Sequence, residues 1–144
     1  MSSGRVLVID DDLSLRQFLK NMLRRAGYEI ETAAGGEEGL AILEGAAVDV
    51  VVTDLTMEGM DGMAVLKSVR QRWPATEVVM ITAHATAENA VEAMKQGAHD
   101  YVVKPFNVDQ LKVILQKALE KKAMREENLT LREALKDRFG YGSM

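Results

Sequence analysis

The chain has 144 residues, of which 47% are hydrophobic and 28% are charged, and it contains no cysteine. This composition predicts one soluble domain with a proper core, and it excludes disulfides and thiolate metal sites. The net charge of −4 argues against direct nucleic-acid binding. No apolar run reaches the roughly 20 residues of a membrane span. Because the start also lacks signal-peptide features and the chain has no cysteine, we expect a cytoplasmic protein.

Strand and helix signals alternate from the beginning of the chain. A β-branched run at 5–10 predicts a buried strand, and apolar residues at helical spacing follow it. Asp12 is suited to cap that helix, and Gly27 follows its end. A second strand is predicted over 28–33 and a short helix over 37–44.

The second half repeats the alternation. The most hydrophobic strand, 48–53, runs directly into Asp54, and a glycine-rich loop and a helix follow it. The remaining predicted elements are a strand at 77–82, a helix at 87–96, a strand at 100–103 and a last helix from Asn107, where Gln110 completes an amide version of the capping box. Five strands alternating with five helices predict a parallel sheet covered on both faces, with its ligand site at the carboxyl ends of the strands.

Polar residues stand at those carboxyl ends. Asp10 and Asp11 follow the first strand, Asp54 the third, Thr82 ends the fourth, and Lys104 follows the fifth. If the first and third strands are neighbours, three carboxylates converge, and two of them about 4 Å apart repel by about 4 kcal/mol at an effective dielectric near 20. A hard cation relieves that repulsion, and Mg²⁺ suits such a site because it accepts a few carboxylates while keeping waters.

These groups together suit phosphoryl transfer. An aspartate can act as a nucleophile and become an aspartyl-phosphate, while Mg²⁺, the Lys104 ammonium and the Thr82 hydroxyl stabilise the phosphoryl oxygens. The alternative is that each acid merely caps a helix or solvates a strand end. That alternative suffices for Asp12 and for any other single residue, but it does not explain the whole set.

Four segments of the chain resemble the receiver domain of two-component response regulators. They are VLVIDDD at 6–12, VVVTDLTMEGMDG at 50–62, MITAHA at 80–85 and GAHDYVVKPF at 97–106. The resemblance spans essentially residues 5–120. It implies a doubly wound (βα)5 fold of the flavodoxin-like and CheY-like kind, with a five-stranded parallel sheet in the order 2-1-3-4-5 and, here, an extended last helix.

The resemblance also implies roles for single residues. Asp54 would be the phosphoacceptor, and Asp10, Asp11, Asp54 and the backbone carbonyl of Thr56 would bind Mg²⁺. Thr82 and Lys104 would bind the phosphoryl oxygens. Thr82 would act as a switch together with Tyr101, an aromatic side chain that turns inward on activation. The alternative for Tyr101 is a half-buried strand aromatic without a switching role. The family also implies a cis peptide bond between Lys104 and Pro105.

Three other residues near these motifs receive no ligand role. Glu58 stands where the family usually has proline, which predicts a more mobile loop with an extra carboxylate near the metal site. His84 and His99 are interpreted as surface or rim residues, because neither belongs to a metal-ligand pattern.

The tail continues the last helix to about residue 138 without proline or glycine. Alternating steps of three and four residues predict a heptad seam consisting of Ile114, Lys117, Lys121, Met124, Asn128, Leu131 and Leu135. Asn128 at an a-like position favours a parallel homodimer built from this helix. A solvated single helix is the alternative.

The final stretch, ENLTLREALKDRFGYGSM, resembles the junction between receiver and ATPase in NtrC-type activators that work with sigma-54 RNA polymerase. The chain has neither a phosphate-binding GxxxxGK[ST] loop nor a DNA-recognition helix. We therefore expect a receiver domain at 1–120 and a coiled-coil linker at 121–144, leading to an ATPase and DNA-binding output domain.

The function predicted from the sequence is that of a response regulator receiver. It accepts a phosphoryl group on Asp54 from a sensor histidine kinase with Mg²⁺, and it changes its dimer interface to control transcription by an output domain. Beyond its own phosphorylation and dephosphorylation it is not an enzyme, and it contacts neither nucleic acid nor membrane. One alternative is a stand-alone receiver that binds a partner. The other is a Mg²⁺-dependent aspartyl-phosphate phosphatase, for which a second acid two residues after Asp54 and room for a cap are lacking.

Overall fold

The structure is a computed structural model that describes residues 4–139. The strands are β1 (Arg5–Ile9), β2 (Glu29–Ala33), β3 (Val50–Asp54), β4 (Glu77–Thr82) and β5 (Asp100–Val103). The helices are α1 (Leu13–Arg25), α2 (Gly36–Gly45), α3 (Gly62–Arg72), α4 (Ala87–Lys95) and α5 (Val108–Phe139). The predicted alternation is confirmed, and most predicted boundaries differ from these by only one or two residues.

The five strands form one parallel sheet in the order β2-β1-β3-β4-β5, as predicted. β1 lies between β2 and β3, with Ile9 beside Thr53 in the register. Because Asp10 and Asp54 follow these two residues, this register brings them to one edge of the sheet. Asp54 itself still belongs to β3 and pairs with Ile81 of β4, so β3 extends one residue beyond its predicted end.

The core has two layers, one on each face of the sheet, because successive side chains of a strand point to opposite faces. The first core layer, covered by α1 and α5, contains Val6, Val8, Val50, Val52, Val79, Ile81 and Val102. The second core layer, covered by α2, α3 and α4, contains Leu7, Ile9, Val51, Val78 and Met80. The near-continuous apolar strands of the sequence are therefore explained by burial on both faces.

The ends of α1 and α4 follow the predicted chemistry, whereas the predicted capping box at the start of α5 is wrong. The Asp12 side chain accepts a hydrogen bond from the Leu15 backbone N–H at 3.2 Å, and Gly27 and Gly97 follow α1 and α4 with φ values of 99° and 98°. At the start of α5 the Asn107 side chain accepts from the Asp109 N–H at 2.7 Å. Asn107 therefore assists the start of the helix through the second residue after it, rather than through Gln110 three residues on as a capping box requires.

α5 is 32 residues long, and its first part belongs to the core. The predicted heptad seam is wrong at two positions. Ile114 is buried in the first core layer, and Lys121 forms an ion pair with the Glu77 carboxylate at 3.8 Å, so both face the body of the domain. The side chain of Leu135 and residues 140–144 of the predicted linker lie outside the part that the structure describes. None of the helices in residues 4–139 is both long and apolar enough to cross a membrane.

Candidate functional site

The carboxyl ends of β1 and β3 bring three aspartates together. Asp10, Asp11 and Asp54 each offer one carboxylate oxygen, and these oxygens lie within 4.8 Å of one another. Asp10 is fully buried, Asp54 is 6% exposed, and Asp11 is exposed. The predicted convergence is thus confirmed. A cluster of carboxylate oxygens with one solvent-facing member is a suitable donor set for a hard divalent cation.

Lys104 provides the positive charge at this edge. Its Nζ donates to Asp10 Oδ2 at 2.8 Å and to Asp54 Oδ2 at 3.2 Å. The Lys104 backbone N–H donates to the Thr82 carbonyl at 2.8 Å, which fixes the residue where β5 ends. The Lys104 ammonium and the nearby Arg16 guanidinium are fewer positive charges than the three carboxylates, so negative charge stays in excess and the site retains an attraction for a further cation.

Burial and neighbouring charges alter the protonation equilibria of this pair. Burial raises the pKa of Asp54, and the Asp10 carboxylate raises it further, while Lys104 and the Thr56 N–H oppose the shift. For Lys104, burial lowers the pKa, but its hydrogen bonds and ion pairs with Asp10 and Asp54 outweigh burial, and the pKa lies above the usual value. Lys104 is therefore a fixed cation at neutral pH.

Backbone contacts hold the two buried aspartates in place. The Asp12 N–H donates to Asp10 Oδ1 at 2.9 Å, and the Thr56 N–H donates to Asp54 Oδ1 at 3.3 Å. A Cβ atom at Gly62 would lie 2.2 Å from the Asp54 carbonyl oxygen, so only glycine allows α3 to begin this close to the acidic strand. Gly62 thus allows the first residue of α3 to pack directly against the Asp54 backbone.

One residue of the site was missed in the sequence. Arg16, on the first turns of α1, donates from Nη1 to the Asp10 backbone carbonyl at 2.6 Å. This bond ties α1 to the turn that carries Asp10 and Asp11. Only its position six residues after Asp10 could have indicated the contact.

The two predicted switch residues lie near the same edge, on β4 and β5. Thr82 is fully buried, and its Oγ1 accepts from the His84 N–H at 3.0 Å. Tyr101 is half-buried against the second core layer, and its hydroxyl is buried without a hydrogen-bond partner among the described residues. The peptide bond between Lys104 and Pro105 is cis, as predicted.

The two histidines differ from each other. His84 is exposed at the rim, as predicted, and Glu58 is exposed as well. His99 is not a simple surface residue, because it is half-buried and its Nδ1 is buried without a hydrogen-bond partner in the described chain. Burial lowers the pKa of His99, and the nearby Lys121 ammonium lowers it further.

The sequence pattern of the response regulator receiver domain family matches residues 6–116. The chain is 38% identical over 139 residues to the regulatory protein AtoC of Escherichia coli K12, a match that covers 96% of this chain and 30% of AtoC. It is 42% identical over 119 residues to the DNA-binding transcriptional regulator NtrC of Salmonella typhimurium, covering 83% of this chain and 25% of NtrC. The chain thus spans about a third or less of the length of these relatives.

Solved structures agree with the sequence relatives. A response regulator receiver domain protein from Clostridium thermocellum superposes with a TM-score of 0.80 at 34% identity, covering 84% of this chain and 98% of that one. NtrX from Brucella abortus gives a TM-score of 0.84 at 33% identity, covering 91% of this chain and 30% of that one. The similarity extends to single receiver domains and to the corresponding part of a longer regulator.

Proposed function

This chain belongs to the response regulator receiver domain family, and on that premise we propose that Asp54 is the residue that accepts the phosphoryl group. The observation that carries the proposal is the convergence of three carboxylates at the ends of β1 and β3, two of which pair with the Lys104 ammonium. Asp54 is nearly buried yet lies at this edge, where a phosphodonor can approach. Of the two carboxylates that pair with Lys104, Asp10 is fully buried and only Asp54 has exposed surface, which supports Asp54 as the nucleophile.

We propose that Mg²⁺ is the cofactor. The residues fit it, because Asp10, Asp11 and Asp54 supply only oxygen donors and an excess of negative charge. The backbone carbonyl of Thr56 is the fourth proposed protein ligand. When bound, Mg²⁺ would neutralise charge on the transferring phosphoryl group and bring the donor to the carboxylates.

The reaction is a transfer between two nucleophiles. An Asp54 carboxylate oxygen forms a bond to phosphorus while the bond from phosphorus to the histidine nitrogen of the donor breaks, and the electron pair stays on that nitrogen. Lys104 stabilises the phosphoryl oxygens through its ammonium. Thr82 Oγ1 accepts from the His84 N–H, so its own hydroxyl hydrogen remains available to donate to a phosphoryl oxygen.

The same residues supply a switch. A phosphoryl group adds about −1.5 to −2 charge and several acceptor oxygens, which draws the Thr82 hydroxyl toward Asp54. The buried Tyr101 hydroxyl lacks a partner among the described residues, and leaving such a group unpaired costs about 1–3 kcal/mol. A second arrangement of Tyr101 is therefore accessible, and it would change the surface formed by α4, β5 and α5.

The phosphodonor that we propose is a sensor histidine kinase. Leu13 and Phe18 are large apolar side chains on α1 that are 56% and 46% exposed. Phe18 also lines a pocket of about 350 Å³ together with Lys104 and Phe106. An exposed apolar surface that reaches Lys104 is suited to dock a protein that presents its phosphohistidine to Asp54.

We further propose that the chain regulates a larger transcription factor in the cytoplasm. The regulators that it resembles are about three times its length, and one of them is described as a DNA-binding transcriptional regulator. The proposed division is a receiver at 1–120 and a linker at 121–144 that leads to a sigma-54-dependent ATPase and DNA-binding output. Exposed Met124 and Leu131 on α5 support a homodimer through this helix.

Phosphorylation by a small donor tests the proposal. After incubation with Mg²⁺ and acetyl phosphate, intact mass spectrometry should detect one added phosphoryl group on the wild-type chain and none on Asp54→Asn. Asp61→Asn is the matched control, since this nearby acid caps α3 and asparagine keeps the cap. Labelling of Asp54→Asn, or none of the wild type, would contradict the proposal.

The competing phosphatase function is tested separately. We propose that the chain acts only on its own phosphoryl group, so p-nitrophenyl phosphate should not be turned over in the presence of Mg²⁺. Sustained release of nitrophenol that disappears in Asp54→Asn would instead identify a hydrolase.

A further inference from the structure

A carboxylate is fully buried at the opposite end of the sheet from Asp54. Glu77, the first residue of β4, has 0% exposure. Both of its carboxylate oxygens are buried, and neither has a hydrogen-bond partner of good geometry among the described residues. A buried carboxylate that lacks hydrogen bonds depends on nearby positive charge, because removal from water is expensive for an ion.

The positive charge that pairs with Glu77 comes from the far part of α5. Arg125 Nε lies 3.1 Å from Glu77 Oε2, and Lys121 Nζ lies 3.8 Å from Oε1. The two basic residues are four positions apart, so they share one side of the helix. Arg70 is also close, but its guanidinium donates to the Thr76 carbonyl at 2.7 Å and to the Pro74 carbonyl.

Two further contacts attach the same part of α5 to the same end of the body. Lys122 Nζ lies 2.7 Å from Asp49 Oδ1, just before β3, and Arg125 Nη1 donates to the Pro74 carbonyl at 3.0 Å in the loop before β4. Trp73 lies beside that proline and carries the Arg72 guanidinium 4.4 Å from its ring centroid. The part of α5 from Lys121 to Arg125, called the α5 extension below, therefore contacts several segments of the body and not one isolated partner.

These contacts lie beyond the part of α5 that apolar packing holds. Among the side chains of α5 that the structure describes, the last fully buried apolar one is Ala118, with Leu119 partly packed beside it, and the receiver family pattern ends at residue 116. The contacts that Lys121, Lys122 and Arg125 make with the body are ionic or polar. The helix is thus held at its start by the core and further along by charge.

We propose that the amino end of the sheet is a docking socket for the α5 extension. Glu77 and Asp49 form the socket, and Lys121, Lys122 and Arg125 occupy it. This makes the helix through Arg125 part of the receiver body, so that the proposed division at residue 120 moves toward the carboxyl terminus. The inference does not depend on phosphorylation of Asp54.

The socket restricts how a second copy can meet α5. The side of the helix that carries Lys121 and Arg125 is occupied by its own body. Met124 and Leu131 are 68% and 56% exposed and lie away from that side. A partner helix can therefore contact Met124 and Leu131. The socket also sets the direction in which α5 leaves the domain.

A rescue experiment on the full chain tests the socket. The variant Lys121→Gln/Arg125→Gln leaves Glu77 buried without its cations, so its urea midpoint should fall below that of the wild type. Adding Glu77→Gln should raise the midpoint again, because the uncompensated charge is then absent. A midpoint that does not fall, or that falls without rescue, would overturn the proposal.

Hydrogen exchange gives a second, independent measurement. In Glu77→Gln alone the extension loses its two ion pairs with Glu77 and keeps the one between Lys122 and Asp49, and amides of residues 119–126 should exchange at least about tenfold faster while those of β1 and β3 stay unchanged. The control is Glu44→Gln, which removes an exposed ion pair with Arg72 at 2.6 Å and should leave 119–126 unchanged. Wild-type exchange of 119–126 in Glu77→Gln would overturn the proposal.

Discussion

Both ends of the parallel sheet hold a fully buried carboxylate, Asp10 at the carboxyl ends of the strands and Glu77 at their amino ends. At the carboxyl ends three carboxylates lie together and two of them pair with one ammonium, that of Lys104. At the amino ends two carboxylates, those of Glu77 and Asp49, face three cations of the α5 extension, Lys121, Lys122 and Arg125. The first end has negative charge in excess, whereas at the second the negative charge of the carboxylates is compensated by cations of the same chain.

We interpret the carboxyl ends of the strands as a ligand-binding site and the amino ends as a structural contact, or joint, between two segments of the chain. Charge that the protein does not balance attracts counter-charge from outside, and we propose that here a divalent cation binds first and allows an anionic phosphodonor to approach. Charge that the protein balances itself holds two of its own segments together. Burial of an acid is therefore not sufficient to identify a functional site, whereas the local balance of charge distinguishes the two ends.

The largest effect should come from removing the ammonium at the carboxyl ends. Lys104→Met should slow labelling by acetyl phosphate by about 10²–10³-fold, the loss typical of removing one group that stabilises a transition state. The rate is measured by intact mass at a series of times. Lys67→Met, an exposed lysine on α3, is the control, and equal rates for the two variants would show that Lys104 does not act on the phosphoryl group.

Removing the cations at the amino ends should have the next largest effect. A chain that ends at Glu120 should lose about 3 kcal/mol of unfolding free energy in urea, because breaking a buried ion pair leaves one charge uncompensated. A chain that ends at Leu129 keeps Lys121 and Arg125 and is the control. Equal stability of the two shortened chains would remove the contrast between the ends.

Mg²⁺ should stabilise the domain through the carboxyl ends alone. At 100 times its dissociation constant, a ligand that binds only the folded state adds about 2.7 kcal/mol. Asp11→Asn should raise the stability without metal, because it relieves repulsion, and should reduce the increment from Mg²⁺. Thermal unfolding with and without Mg²⁺ measures both, and Asp12→Asn, which keeps the α1 cap, should behave as the wild type does.

The apolar surface on α1 should matter only for the protein donor. Phe18→Ser should slow phosphoryl transfer from the cognate kinase by about tenfold, as expected when an aromatic anchor is lost from an interface. Labelling by acetyl phosphate should be unchanged. Val91→Ser removes an exposed apolar residue of α4 and is the control. A matching loss in the acetyl phosphate reaction would place Phe18 in the chemistry instead.

The smallest effect concerns pH and the amino ends. Burial lowers the pKa of His99 below its ordinary value of 6.5, so the unfolded chain binds a proton more readily than the folded one. The contribution of neutral His99 to the free energy of unfolding is complete above about pH 6.5 and is lost as the pH falls through the lowered pKa of His99. Urea midpoints between about pH 5 and pH 8 should therefore vary less in His99→Asn than in the wild type, while His84→Asn should retain the full variation.

The fold and the acidic cluster were predictable because both follow periodic or topological rules. Buried parallel strands are continuous apolar runs, and their carboxyl ends meet at one edge. Asp10, Asp54 and Lys104 could thus be placed together without coordinates. Their chemical roles remain predictions that the labelling experiments address.

The contacts between Glu77 and α5 at the amino end of the sheet could not be predicted from the sequence, and the reasons are also physical. Glu77 and Arg125 are 48 positions apart in the chain, and ion pairs have no period that a sequence reveals. The apolar steps along α5 also suit two surfaces, since a helix that packs on its own body and one that packs on a second copy share nearly the same spacing. Ile114 and Lys121 were assigned to the wrong one of these surfaces.

Trp73 gives the molecule a built-in optical reporter. It is the only tryptophan of the chain, and it lies next to Pro74, whose carbonyl accepts from Arg125. It follows α3 and precedes β4, at the amino end of the sheet. Its fluorescence should therefore respond to undocking of the α5 extension more than to chemistry at Asp54, so the joint can be observed in solution without an added dye.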